Sequence, residues 1–382
     1  MNILIVGGNF DDEGGRSSSY ITKFGNEVLA SEYVTVNDSF HCYNGGSFEK
    51  LETILSCIDE SDLIFWFANA PNDKEKLVRN LKSLNPRAIL ITSKNNMDGK
   101  YTYMDLVARA LQTKSNLLVE FTKSDTMIEA TILDPLCNCY AMKFTNLVDM
   151  TEILMARAVK LLGYTRIGSE RVGEAKEIPM NEAFFDLIKW NADKFHQLIH
   201  GSNTSRFLGN ASFRCEKGFP SMRSGDLIFV SKRNVDKRDL GANGFVACEL
   251  ESQCGCENPI IETNGDDSGS CITPNCPVQY YGDHKPSVDS PVQLKLYRYY
   301  TNINFMIHSH VYVEGAPFTR YNLPCGAIEE VAEILSVFPN RNMDKFAINL
   351  KGHGSLILVS HHPDDFNRYS YVARSVPEFQ TV

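Results

Sequence analysis

From its first residues to Leu162 the chain alternates short apolar runs with amphipathic stretches, and no other feature limits its fold as much. The runs are Ile3–Val6, Tyr33–Val36, Leu63–Phe67, Ala88–Thr92, Leu117–Phe121 and Ala130–Leu133. Between them lie stretches with helical spacing, such as Phe48–Ile58 and Lys74–Leu84. Continuous apolar runs of this length read as strands buried on both faces, and strands separated by helices read as a parallel sheet. The expectation is an α/β doubly wound parallel sheet, closed by a helix over Val148–Leu162.

This half is expected to be a Rossmann-like domain over 1–165, joined through a polar linker at 166–180 to a second domain over 181–382. The second begins with a helix over Asn181–Ile199, after which strands shorten and turn residues become denser. No internal repeat is visible. The stretch Glu251–Cys276, rich in Gly, Asn, Asp and Ser, reads as an insertion loop.

Bulk properties narrow the function classes. Of 382 residues, 43% are hydrophobic and 22% charged, values of an ordinary globular protein. A net charge of -9 disfavours a nucleic-acid or anionic-membrane partner. No apolar run approaches ~18 residues, so no membrane-spanning helix is expected. The start, Met1-Asn-Ile-Leu-Ile-Val-Gly-Gly, reads as a first strand and not as a signal peptide. Eleven cysteines, scattered through predicted strands and helices, fit a reducing cytoplasmic compartment. Cys254, Cys256, Cys271 and Cys276 cluster in the insertion loop, as free thiols or as a second, structural zinc site; their spacing is not a common zinc pattern.

Chemistry concentrates in the second half. His308 and His310 end the apolar run Asn304-Phe-Met-Ile-His-Ser-His, and His353 follows another in Leu350-Lys-Gly-His-Gly. Residues i and i+2 of a strand share a face, so His308 and His310 can grip one cation from one side while His353 closes from a neighbouring strand. Three imidazoles holding zinc leave one coordination position for a substrate.

Around this trio, from Asn181 to Phe366, the chain resembles the class II aldolase/adducin family, which includes fuculose-phosphate aldolase and ribulose-phosphate 4-epimerase. The motifs that carry the resemblance occur in family order. Leu208-Gly-Asn-Ala-Ser-Phe-Arg is similar to a Gly-Asn-x-Ser-x-Arg turn. Gly225-Asp-Leu-Ile-Phe-Val-Ser-Lys-Arg-Asn-Val-Asp-Lys is similar to a Thr-Pro-Ser-Gly strand and turn. Lys285-Pro-Ser-Val-Asp-Ser-Pro-Val-Gln-Leu-Lys-Leu-Tyr is similar to Lys-Pro-Ser-Ser-(Asp/Glu)-Thr-x-x-His-x-x-Leu-Tyr. His308-Ser-His310, Pro324-Cys-Gly-Ala-Ile-Glu-Glu and Gly352-His-Gly354 follow.

The resemblance implies a zinc-dependent (or other divalent metal) lyase or epimerase. Its substrate would be a small hydroxy-carbonyl compound such as a sugar phosphate, and its route a metal-stabilised enediolate. His308, His310 and His353 would bind the metal, and Asp289 would be a further ligand or the acid/base group. Asn210, Arg233, Asn234 and Ser287 would hold the anionic end. Arg233 and Asn234 stand where the family has Ser/Thr-Gly, and Val288 where it has a second serine; either an arginine, which grips phosphate bidentately, compensates for the lost donors, or the substrate is a differently placed anion or not a phosphate at all. Only Val311–Leu323 separates the His-x-His pair from Pro324-Cys-Gly, where the aldolases carry a longer loop with an active-site tyrosine; Tyr312 and Tyr321 lie in this segment, and neither aligns with that tyrosine. The family's oligomers meet around the metal cleft, so a homo-oligomer is expected.

Other polar residues have plainer readings. His196 and His200 read as an exposed helix face, His284 as a surface residue, and His361 and His362 as a solvated turn. Glu329 and Glu330 open a helix, where acids favour the dipole. In the first domain, Gly7, Gly8, Gly14, Gly15 and Ser17 flank a helix start and either cradle an anion or nucleotide on backbone N–H groups or shape a tight turn. Asn37-Asp38 is expected to end the second strand within reach of a ribose. Asp134-Pro-Leu-Cys-Asn138 is expected at the ligand edge of the sheet. The alternative to catalysis is a degenerate aldolase-like binding or scaffold protein whose first half binds a nucleotide or anion. A third reading makes that first half an enzyme in its own right.

Overall fold

A computed structural model describes residues 1–56, 58–69, 75–123, 128–137, 141–198, 209–214, 227–233, 235–250, 277–360, 362–373 and 380–381. The chain forms two compact units: Met1–Gly163 with the chain's end from Ala373, and Tyr164–Leu198 with Phe207–Val372. Among the described residues no helix is long and apolar enough to cross a membrane. The cluster Cys254, Cys256, Cys271 and Cys276, with Asn234, Asn138, His200 and His361, lies outside the described residues.

The first unit runs β1 (Asn2–Asp11), α1 (Ser19–Ala30), β2 (Ser39–Ser47), α2 (Phe48–Leu55), β3 (Leu63–Asn69), α3 (Glu75–Leu84), β4 (Ile89–Asn95), α4 (Tyr103–Gln112), β5 (Leu117–Lys123), β6 (Ile128–Leu133), β7 (Ala141–Phe144) and α5 (Leu147–Ile167). Strands β2, β1, β3, β4 and β5 pair in parallel in that spatial order. Alternate strand residues supply two cores, which is what a doubly wound sheet requires. Ile3, Ile5, Phe65 and Ile91 pack with Phe24 of α1 and Leu154 of α5. Leu4, Val6, Ile64 and Leu90 pack on the other face with Ile54 of α2 and Leu81 of α3.

Three expectations for this unit are corrected. Tyr33–Val36 is a turn and not a strand: the Asp38 carboxylate accepts the Thr35 N–H at 2.7 Å and pairs with the Met1 amine, and Val36 is fully exposed. Such local side-chain-to-backbone bonds compete with the strand preference of β-branched residues. The actual second strand, Ser-Phe-His-Cys-Tyr-Asn-Gly-Gly-Ser, is a polar edge strand beginning after Asp38, so Asp38 lies at the opposite end of the sheet from the carboxyl ends of the parallel strands. Second, β6 runs antiparallel to β5, with Leu133 opposite Leu118. The connection from Lys123 to Ile128 is too short for a parallel crossover, which needs a dozen residues or more. Third, Asp134 is therefore also at the far edge, where a buried pair with Arg157 Nη2 (2.9 Å) and the N–H groups of Leu136 and Cys137 engage it.

The second unit continues with β8 (Ser169–Gly173), α6 (Glu182–Leu198), β9 (Asn210–Arg214), β10 (Leu227–Ser231), β11 (Phe245–Glu249), β12 (Val278–Tyr281), α7 (Ser290–Tyr299), β13 (Phe305–Ser309), β14 (Tyr312–Val313), α8 (Glu330–Val337), β15 (Lys345–Leu350), β16 (Gly354–Val359) and β17 (Tyr371–Val372). Its sheet has the order β15-β16-β13-β9-β10-β11-β12-β8 and is antiparallel except for β12–β8. The 166–180 stretch, by sequence a linker, thus contains strand β8. The chain's end, β18 (Gln380–Thr381), pairs with β7 in the first sheet, whereas the sequence places all of 181–382 in one domain.

One face of the second sheet carries an aromatic layer. Phe184 of α6 meets Phe305 at a centroid distance of 4.9 Å and Phe213 at 5.8 Å, and it is fully buried. Phe184→Ala is expected to cost about 3–5 kcal/mol, because the cavity adds to the lost transfer energy. Urea denaturation checks it, and a change below about 1 kcal/mol would contradict this packing. The other face buries Met306, Leu356 and Leu358 under Leu294 and Leu296 of α7 and Val331 and Ile334 of α8.

Candidate metal centre

Strand β13 places His308 on the face covered by α7 and α8, since His308 follows Met306 at the i+2 position. Its strand neighbours are Asn210 of β9 and Leu356 of β16. His310 follows directly after β13. His353 sits in the turn between β15 and β16, bracketed by two glycines with distinct tasks. Gly352 has φ +74°, and a Cβ there would lie 1.9 Å from Asn322 Nδ2. A Cβ on Gly354 would lie 2.0 Å from the Ser309 carbonyl oxygen, between the other two histidines. Only glycine allows the His353 turn to press this closely on the end of β13.

All three rings are buried. Their centroids stand 5.0, 4.8 and 4.8 Å apart, and one nitrogen from each lies within 4.8 Å of the other two. Hydrogen bonds orient two of them. His308 Nδ1 is 2.9 Å from the Ser355 carbonyl oxygen, and a carbonyl only accepts, so Nδ1 carries the hydrogen and Nε2 the lone pair. His308 Nε2 is buried and makes no hydrogen bond among the described residues. Burial and the neighbouring His353 push this imidazole down to about 4, so it is neutral near pH 7. His353 Nδ1 faces Glu330 Oε1 at 3.1 Å. A histidine pinned at one nitrogen by a carbonyl or carboxylate, with the other turned inward, is how proteins present imidazole to a metal. An uncompensated buried nitrogen lone pair costs about 1–3 kcal/mol, which a cation would reverse.

Asp289 lies at the N-terminus of α7, its Oδ2 3.9 Å from His308 Nε2. Asn210 Nδ2 donates to Oδ2 at 2.7 Å, Cys325 Sγ donates to Oδ1 at 3.3 Å, and the Gly326 N–H also donates to the carboxylate. Burial raises this carboxyl's pKa, but His308, His353 and these donors outweigh it and hold Asp289 below the usual carboxylate range. Asn210, assigned from sequence to an anionic substrate group, donates to Asp289 and accepts from Gln293 Nε2. Arg233 follows β10, its N–H bonded to the Lys285 carbonyl, and Ser287 is half-buried, with its N–H bonded to the Ser231 carbonyl.

Sequence reasoning misses four participants. Glu330, by sequence a helix-opening acid, is buried behind His353; burial and the charge of Asp289 hold its carboxyl well above the usual range. Its neighbour Glu329 instead accepts from the Tyr164 hydroxyl at 2.7 Å. Cys325 and Gln293 brace Asp289 and Asn210. Lys237 is 8% exposed, and burial pushes its ammonium down to about 8 against the pull of Asp289 and Asp236. Burial likewise lowers Arg233, with Cys325 and Asp289 opposing. His284 is exposed, and His362 lies in an exposed turn where it accepts from the Asp364 N–H.

Glu330→Gln keeps an oxygen acceptor facing His353 but replaces the carboxyl that orients the ring. It is expected to weaken zinc binding about 10–100-fold. Competition with a chromogenic chelator reads this directly, and an unchanged affinity would show that Glu330 does not support a ligand.

In the first unit, the loop after β1 uses its own donors. The Gly15 N–H binds the Gly46 carbonyl at 3.0 Å, the Gly14 N–H the Asp11 carbonyl, and the Ser18 N–H the Asn44 side chain. A Cβ on Gly7 would strike Ile21 of α1, and one on Gly8 would strike the Gly45 N–H and the Arg16 carbonyl. Here Gly7, Gly8 and Gly15 permit tight packing, and Gly14 supplies a φ of +93° with open space around it. The Gly14 and Gly15 N–H groups are engaged by carbonyls within the loop.

No family model matches the chain, and no curated protein matches it. Solved structures similar to it include L-fuculose-1-phosphate aldolase from Thermus thermophilus, at 18% identity over 46% of this chain and 80% of that one, with a TM-score of 0.27. A sugar-phosphate aldolase from Thermotoga maritima is 10% identical over 48% of this chain and 88% of that one, TM-score 0.30. The DNA/pantothenate metabolism flavoprotein from Streptococcus pneumoniae is 14% identical over 42% of this chain and 98% of that one, TM-score 0.30. TM-scores this low assign no function to the chain.

Proposed function

We propose that the second unit is a metal-dependent lyase or epimerase of the class II aldolase type, with zinc as the metal and a small, anionic hydroxy-carbonyl compound such as a sugar phosphate as substrate. The observation that carries this reading is the buried convergence of His308, His310 and His353, with two of the rings oriented from behind by Ser355 and Glu330. The donor set fits a divalent cation: neutral imidazoles suit zinc, and a neighbouring carboxylate adds charge. When bound there, the cation would supply Lewis acidity toward a carbonyl or hydroxyl oxygen.

The chain's own residues do the rest. Asp289, held ionised by its donors, takes or returns a proton at a substrate hydroxyl beside the histidines. Asn210 and Gln293 fix its orientation. Arg233 and Lys237, both largely withdrawn from water, balance the anionic end of the substrate. The buried setting excludes water from these charges and strengthens their attraction.

The test is a panel of ketose and aldose phosphates incubated with the zinc-loaded full chain, read by NMR for aldehyde release or inversion at a carbinol carbon. Turnover of at least one compound, lost on chelation, is expected. A panel left wholly unchanged would count against the reading.

A further inference from the structure

We propose that Cys325 is a sulfur ligand of the site's divalent cation in the absence of substrate. This rests on the metal reading above and deepens it. Beside the histidine triad stands a second buried donor group, Asp289, Cys325 and His353, whose ligand atoms lie within 4.8 Å of one another. The two groups share His353, so the thiol stands within ligand reach of one of the three imidazoles. His308 points the same way: it is only 3% exposed, its Nε2 makes no hydrogen bond among the described residues, and that nitrogen lies 3.9 Å from Asp289 Oδ2.

The backbone holds the sulfur in place. Gly326 has φ +82°, and a Cβ on it would lie 2.6 Å from Val288 Cγ1. The Pro324-Cys-Gly turn therefore presses on the residue before Asp289, and the Gly326 N–H donates to the Asp289 carboxylate.

Ligation exchanges the S–H bond for a sulfur–metal bond. The proton passes to Asp289 Oδ1, its hydrogen-bond acceptor at 3.3 Å, and leaves to solvent as the metal loads. A thiolate among imidazoles favours soft cations such as zinc and cobalt over magnesium. Catalytic zinc sites expand to five ligands, so the sulfur does not bar a substrate oxygen.

Cobalt(II) loaded into the chelator-treated full chain tests this without any activity assay. The expected spectrum has visible d–d bands together with an intense near-ultraviolet sulfur-to-cobalt charge-transfer band. Cys325→Ser, which keeps a hydroxyl for Asp289, should retain the visible bands and lose the near-ultraviolet band; Cys325→Ala provides the same reading if serine perturbs the turn. A wild-type spectrum with visible bands alone would overturn the proposal and leave the metal site standing. Near-ultraviolet intensity undiminished in both variants belongs to other sulfurs and would overturn it too. Absence of all cobalt bands would overturn the metal reading itself.

Discussion

Replacing His310 by Ala is expected to abolish metal-dependent turnover while the second unit stays folded. A cation held there would supply several kcal/mol of stabilisation to developing charge, and each 1.36 kcal/mol is tenfold in rate, so a loss of about 10³-fold or more is expected. The fold should survive, because Met306, Leu294, Leu296, Val331 and Ile334 form an apolar core of which the three rings are not part. Circular dichroism and urea denaturation, beside kcat on the best substrate of the panel, separate the cases. An unfolded variant would make the metal structural, and undiminished turnover would remove His310 from the chemistry.

Asp289→Asn is expected to lower kcat by about 10²–10⁴-fold, the usual contribution of a positioned acid/base group. The environment makes this substitution costly in a second way. Donors from Asn210, Cys325 and Gly326 converge on the carboxylate. An amide offers one acceptor oxygen, so its NH₂ must face a donor, and about 1–3 kcal/mol of stability should go with it. Measuring kcat and KM together with denaturation midpoints tests both parts. A kcat within roughly threefold of wild type at full metal content would leave Asp289 as a structural brace.

What could be read in the sequence follows from how local each signal was. His308 and His310 share a strand face because their spacing matches the pleat, and that needs no knowledge of the rest of the chain. His353 announces itself through its flanking glycines, whose close approach to Asn322 and Ser309 explains why no other residue fits. The role of Glu330 was not legible: it reaches His353 across 23 residues, and at the head of a helix an acid has a sufficient local explanation. Lys237 was hidden for a similar reason, since nothing in Val-Asp-Lys-Arg-Asp indicates that one cation of the run is buried.

In the first unit the parallel core was legible from its continuous apolar runs. The direction of β6 was legible as well, from the short connection between Lys123 and Ile128, but only when connection length is weighed against strand order. The strand at Ser39–Ser47 was not, because an edge strand buries little and its two glycines read as a turn.

The most direct measurement is the zinc content of the purified, zinc-loaded full chain beside the His308→Ala/His310→Ala double variant. Convergent imidazoles imply that the double variant holds about one equivalent less than the wild type, whatever other sulfur sites retain. Equal zinc in the two proteins, or less than about a tenth of an equivalent in the wild type, would contradict a metal centre at these three histidines.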